Sequence, residues 1–200
     1  MNLLAVVCSP KKHRNTDTLI DAVLEGAKES GITLNIDKVY VNSLKFRPCQ
    51  DCGYCRKVNG CSLRDDMDDI YPLIEHAHGV IVGAPTYYGG MNAQCKMFID
   101  RQFRYNEMVE NDDESWTFQS RIALRKKLIF AGTNGSFGDE CCNRQEAIID
   151  HLCNDINAEH YENIYAHKTD YYPVKENESL LDTAKKLGKR WVQDIEQSLL

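Results

Sequence analysis

Short apolar runs alternate with longer amphipathic segments from one end of the chain to the other. That rhythm restricts the fold more than any other feature of the sequence. "NLLAVVC" (2–8) is rich in β-formers and reads as a buried strand. The segment from Thr16 to Ser30 follows, with Leu19, Ile20, Val23, Leu24 and Ala27 on one helical stripe, and Gly31 stops it. "LNIDKVYV" (34–41) alternates like a strand, and "GVIVGAP" (79–85) and "KKLIFAG" (126–132) are further buried strands. A weaker strand is expected near "YENIYA" (161–166). Helices are expected through "RDDMDDIYPLIEHAH", "NAQCKMFIDRQF", about Asp139 to Asn154 and about Ser179 to Ser198. The last of these carries Leu180, Ala184, Leu187, Trp191 and Ile195 on one face. Asp65 suits the N-cap of the first of these helices, with Asp66 as a further cap.

Right-handed crossovers put the helices of such a chain on both faces of a parallel sheet. The expectation is one α/β domain over residues 1–200, with five parallel strands in the order 2-1-3-4-5. There is no internal repeat and no linker. The irregular stretch is "NEMVENDDESWTFQS" (106–120), an acidic insertion ending in Trp116 and Phe118.

In a sheet of this kind ligands bind outside the carboxyl ends of the strands, so the loops there carry the functional reading. "CSPKKHRNTDTL" (8–19) enters a helix among hydroxyls, an amide and basic residues, as a phosphate requires. Ser9, Asn15, Thr16 and Thr18 can add side-chain hydrogen bonds, and His13 can help to neutralise charge. An ordinary polar connection capped by Asn15 or Thr16 is the competing reading. The next such loop, "APTYYGG" (84–90), combines a sharp exit at Pro85, two rings and two glycines. A planar ligand can stack on Tyr87 or Tyr88 there, although a plain turn would look the same. "GTNGSFGDE" (132–140) is again small and glycine-containing. Phosphate, planar ring and close backbone approach together suggest a flavin nucleotide.

The formal net charge of −6 argues against nucleic-acid and anionic-membrane partners. No apolar run approaches the roughly 20 residues of a membrane helix. The N-terminus lacks the basic lead of a signal peptide, which makes a cytoplasmic location the expectation. Nine cysteines cannot complete a disulfide framework within one chain. Four of the nine, Cys49, Cys52, Cys55 and Cys61, fall within "PCQDCGYCRKVNGC" (48–61), and in a reducing compartment such a cluster more often binds metal or does redox work. Cys8, Cys95 and Cys153 read as buried thiols, and Cys141 and Cys142 have no assigned role. No G-x-S-x-G elbow or H-E-x-x-H helix is present, and no side-chain acid–base pair stands out as catalytic.

"SPKKHRNTDTL", the four cysteines before "DDM", and "GAPTYYGGMNAQCKMFIDR" together resemble the flavodoxin-like NAD(P)H-dependent FMN reductases over roughly residues 2 to 140. The resemblance implies FMN, its phosphate held by Ser9, Asn15, Thr16 and Thr18. It implies Pro85, Thr86, Tyr87 and Tyr88 along the isoalloxazine, with Gly89 near the reactive edge. Cys8 stands where the family usually has glycine. Within the family the iron–sulfur flavoproteins are most similar, because C-x2-C-x2-C-x5-C matches Cys49, Cys52, Cys55 and Cys61. That match implies a 4Fe–4S cluster and ferredoxin as a donor. Relatives with similar cysteines bind no cluster, so a zinc site and a bare thiol patch remain alternatives.

Two functions follow as expectations. One is an FMN-dependent oxidoreductase that takes electrons from NAD(P)H or ferredoxin to a small-molecule acceptor, the chemistry residing on FMN. The other is a non-enzymatic flavin-binding protein whose cysteine loop is a zinc or thiol switch. The cysteine loop leaves the second strand at the lateral margin of the flavin-bearing edge, where a cluster would serve a neighbouring subunit's flavin. A homo-dimer or tetramer is therefore expected, with Trp116 and Phe118 either supplying part of the interface or packing on their own domain.

Overall fold

Alternate residues of each central strand point into opposite layers. In β1 (Asn2–Val7), Leu4 and Val6 enter one apolar cluster while Leu3, Ala5 and Val7 enter another. A strand buried on both faces needs helices on both faces, which only crossover connections supply. The computed structural model describes the backbone of residues 1–136 and 140–199, and the side chains of all of these except 140–143. After β1 come β2 (Asn35–Tyr40), β3 (Gly79–Tyr87), the two-residue β4 (Gly90–Met91), β5 (Asn106–Glu110), β6 (Trp116–Ser120), β7 (Lys126–Thr133) and β8 (Ala158–Ala166). The helices are α1 (Asn15–Lys28), α2 (Tyr54–Lys57), α3 (Met67–His76), α4 (Ala93–Asp100), α5 (Glu140–Asp155) and α6 (Glu178–Leu199).

The main sheet runs β2-β1-β3-β7-β8, all parallel, which is the flavodoxin-like order 2-1-3-4-5. Its register sets Val6 beside Val82 and Ile81 beside Ile129. Leu19, Ile20 and Val23 of α1 and Leu187, Trp191 and Ile195 of α6 fill one layer. Met67, Ile70 and Ile74 of α3, Phe98 of α4 and Ile149 and Leu152 of α5 fill the other. Among the described residues, no helix is long and apolar enough to cross a membrane.

The differences from expectation lie at the ends of elements and in one insertion. β3 continues to Tyr87 because Thr86 and Tyr87 pair antiparallel with Met91 and Gly90. β8 spans nine residues, not six, with a register shift at Leu128/Ile129 of its partner. The stretch 106–120 is not irregular: β5 and β6 form an antiparallel hairpin separate from the main sheet. Its pairs Met108↔Phe118 and Glu110↔Trp116 put three large apolar side chains on one face, and all three are exposed.

Candidate cofactor site and cysteine patch

The carboxyl ends of β1, β3, β7 and β8 open onto a cavity of about 310 Å³. Ser9, Lys11, Arg14, Asn15 and Thr16 form one wall, and Pro85, Thr86 and Tyr87 a second. Thr133, Gly135 and Ser136 with Thr169 and Asp170 close the rest. Six residues expected from sequence therefore meet in one place: Ser9, Asn15, Thr16, Pro85, Thr86 and Tyr87. Thr18 lies further along α1, outside the wall. Tyr88 and Gly89 form the tip of the β3–β4 hairpin, with φ of 51° and 72°, the left-handed pair that a two-residue turn of this hand needs. Tyr88 is fully exposed there.

The walls are tied to one another before any ligand is considered. Thr16 Oγ1 and Thr133 Oγ1 are 2.7 Å apart, joining the loops after β1 and β7. Asn15 does not cap α1. Its amide donates to the Thr169 carbonyl at 3.4 Å and accepts from the Val174 N–H at 3.1 Å. Ser9 Oγ accepts from the Lys11 N–H at 3.2 Å. Asp17 reaches back to the His13 N–H at 2.6 Å and pairs with Lys38 at 2.5 Å. Burial pushes the Asp17 carboxyl up, but Lys38 and the His13 N–H outweigh it and hold its pKa below the ordinary value. Lys11 and Arg14 line the cavity without an ion pair among the described residues, and they face the start of a 14-residue helix. Two free cations at a helix start suit an anion. His13 is exposed and beside Asp17, not in the wall. At Gly135 a Cβ would lie 2.3 Å from an Asp170 carboxylate oxygen, so a larger residue there would displace that side chain from the cavity wall.

The wall formed by Thr169 and Asp170 escaped the sequence reading. The loop after the fifth strand holds no glycine or hydroxyl run to mark it. Only the rule that every carboxyl-end loop borders the crevice could have pointed there. Residues 137–139 of the loop after β7 lie outside the described residues, as do the side chains of Cys141 and Cys142.

Cys49, Cys52, Cys55 and Cys61 are all unpaired and line one small cavity of about 30 Å³, together with Arg56 and Phe103. Burial raises the Cys55 pKa, and the nearby Cys49, Cys61 and Cys52 raise it further. Among the described residues, no three His, Cys, Asp or Glu side chains are arranged as a ready-made metal-ligand set. The patch leaves β2 at the carboxyl edge and then lies against α4 and α5. Cys49 and Arg56 share a cleft of about 430 Å³ with Lys96, Ile99, Phe103, Ile148, His151 and Asp155. None of these lines the cavity at the carboxyl edge of the sheet.

Arginines hold the patch in place. Arg101 is enclosed, donates to both oxygens of Asp65 at 2.7 and 3.1 Å, and donates to the Arg47 carbonyl at 2.8 Å. Arg121, directly after β6, donates to the Cys55 carbonyl at 2.9 Å. Asp65 also caps the Met67 N–H as expected, whereas Asp66 accepts from the Lys45 N–H instead. Cys8, Cys95 and Cys153 are buried, as expected.

A larger cavity, about 860 Å³, lies elsewhere, between Phe103, Phe118, Arg125, His151 and Asn157. It opens at the amino ends of β7 and β8, opposite the edge where such sheets bind ligands. The smaller cavity combines the carboxyl edge, a helix start and two cations, and it is the better cofactor candidate.

Residues 1–152 match the family model of NADPH-dependent FMN reductase. The chain belongs to that family. An iron-sulfur flavoprotein of Methanosarcina thermophila is 41% identical over 101 residues, covering 50% of this chain and 52% of the relative. Another, from Archaeoglobus fulgidus, is 37% identical over 105 residues, covering 52% of this chain and 47% of the relative. The matches thus span about half the length of these curated relatives. A solved structure of an NAD(P)H:quinone oxidoreductase from Methanothermobacter marburgensis superposes with a TM-score of 0.69 at 16% identity, covering 95% of each chain, and supports the fold.

The cofactor of this FMN reductase family fits the cavity on chemistry. Lys11, Arg14 and the α1 start suit a phosphate, while hydroxyls, Asp170 and the Pro85–Tyr87 wall offer polar and flat surfaces. The four thiols fit a thiolate-held cluster as a donor set around one cavity, although they would have to draw together to share one group.

Proposed function

We propose that this member of the FMN reductase family is an FMN-dependent oxidoreductase passing electrons from NAD(P)H or ferredoxin to a small-molecule acceptor. One observation carries the reading. The cavity at the carboxyl edge joins Lys11 and Arg14, which have no ion pair among the described residues, at a helix start to the Pro85–Tyr87 wall. In this reading Ser9, Asn15, Thr16 and the two cations hold the phosphate, with Thr18 steadying the first turn of α1. Pro85, Thr86 and Tyr87 line the isoalloxazine, and Tyr88 and Gly89 form a hairpin tip that borders its exposed side. When bound, FMN supplies the redox chemistry, accepting a hydride or single electrons. No side chain has to act as acid or base, and the protein's work is to bind, orient and shield.

Cys49, Cys52, Cys55 and Cys61 would hold a 4Fe–4S cluster, a one-electron carrier, supported by the iron–sulfur flavoprotein relatives. Its cavity shares no residue with the flavin-side cavity, which favours exchange with a second subunit. The exposed Met108, Trp116 and Phe118 face beside Arg121 and the patch suits such a homo-oligomer contact.

Anaerobically purified protein is the test. About four irons and four sulfides per FMN, with oxidation of NAD(P)H or reduced ferredoxin, are expected. Bound FMN without turnover by either donor would reject the enzyme reading. Zinc in place of iron would reject the cluster and favour a switch.

A further inference from the structure

Gln145 of α5 is fully enclosed behind the β3–β4 turn. Its side-chain nitrogen lies 2.5 Å from Thr86 Oγ1 and 3.4 Å from the Gly90 carbonyl oxygen. A carbonyl can only accept, so the nitrogen end of the amide must face the turn, and it therefore donates to Thr86 as well. The amide oxygen of Gln145 is buried with no partner among the described residues.

A threonine hydroxyl whose oxygen accepts from behind still has its own proton to give. Thr86 lines the cofactor cavity. We infer that Gln145 is a positioning residue that commits the Thr86 hydroxyl to donate into the cavity, toward an acceptor atom on the isoalloxazine edge. The inference rests on the FMN reading above. Reduction adds electron density to the ring's nitrogen and carbonyl acceptors, and a fixed donor stabilises a form of the ligand in proportion to the charge it meets. The Gln145–Thr86 pair therefore favours reduced over oxidised flavin, a bias neither residue provides alone.

The test is the two-electron midpoint potential of bound FMN, with dissociation constants for its oxidised and reduced forms, in holoprotein and four variants. Thr86→Val is expected to weaken reduced FMN about tenfold more than oxidised FMN, which lowers the potential by about 30 mV. Thr86→Ser keeps the native potential. Gln145→Met moves the ratio the same way by about threefold or more, and adds nothing in a Thr86→Val background, as coupling through one hydroxyl requires. If Gln145→Met does not fold, Gln145→Leu takes its place with the same expectations. The inference is overturned if Thr86→Val weakens both oxidation states equally, which would point the hydroxyl at the phosphate. It is also overturned if the Gln145 effect persists without Thr86. A native protein that binds no FMN removes the functional reading itself, an outcome distinct from bound FMN with an unmoved potential.

Discussion

Lys126 opens β7 with its side chain enclosed and its ammonium donating to the Leu124 carbonyl at 2.8 Å. Burial pulls its pKa down to about 8 from 10.5, against a weaker pull upward from Glu75. Above about pH 10.5 the group is neutral in both states and costs nothing. As pH falls toward 8 the unfolded chain gains the proton first, stability drops, and below 8 the full cost of a buried charge remains. Lys126→Met is expected to raise the unfolding free energy at pH 7 by roughly 1–3 kcal/mol, an advantage that shrinks by pH 10. Urea melts at the two pH values check this, and equal gains at both would reject the buried-charge account. The sequence gives no hint of it, since a lysine at the head of a strand usually reaches solvent. Gln145 is hidden for a similar reason. Amphipathic helices carry polar residues as a matter of course, and only the approach of the β3–β4 turn marks this one. Ser9, Thr16 and Pro85, by contrast, were legible because loops at the carboxyl edge can be found from strand periodicity alone.

α1 and α6 meet backbone to backbone. A Cβ at Gly26 would sit 1.9 Å from the Lys185 carbonyl oxygen, and one at Gly188 would sit 1.8 Å from that of Val23. Neither carbonyl can swing aside as a side chain would, so the helices would have to separate. Gly188→Ala should cost toward the upper end of about 1–3 kcal/mol, and since α1 carries Asn15 and Thr16 it should weaken cofactor binding too. Thermal melts and flavin titration measure both effects; an unchanged melting temperature would contradict the close contact. The cysteine segment depends on a different fastening, the Arg101–Asp65 pair. Arg101→Met leaves the partly buried Asp65 without its cation, expected to cost about 1–3 kcal/mol, and frees the Arg47 carbonyl at the entrance to the segment. Faster proteolysis between residues 45 and 65 than elsewhere is the expected signature. At this scale the strands and long helices were readable from their periods. The β5–β6 hairpin was not, because its exposed residues carry no buried face to impose alternation.

For the molecule as a whole, the exposed face of Met108, Trp116 and Phe118 is the feature that a lone chain in water explains least. In the proposed oligomer, Trp116→Ser with Phe118→Ser is expected to shift the mass measured by light scattering toward the monomer while leaving FMN bound. A native monomer at working concentration would end that proposal. The bonds from Asn15 to Thr169 and Val174 have a consequence of another kind. One wall of the cofactor cavity is supplied by residues 9–16 and the wall that adjoins it by residues more than 150 positions later. During synthesis the first wall is complete long before the second has left the ribosome. The enclosed space therefore comes into being only after residues 169 and 170 have emerged, and capture of its occupant has to wait for them.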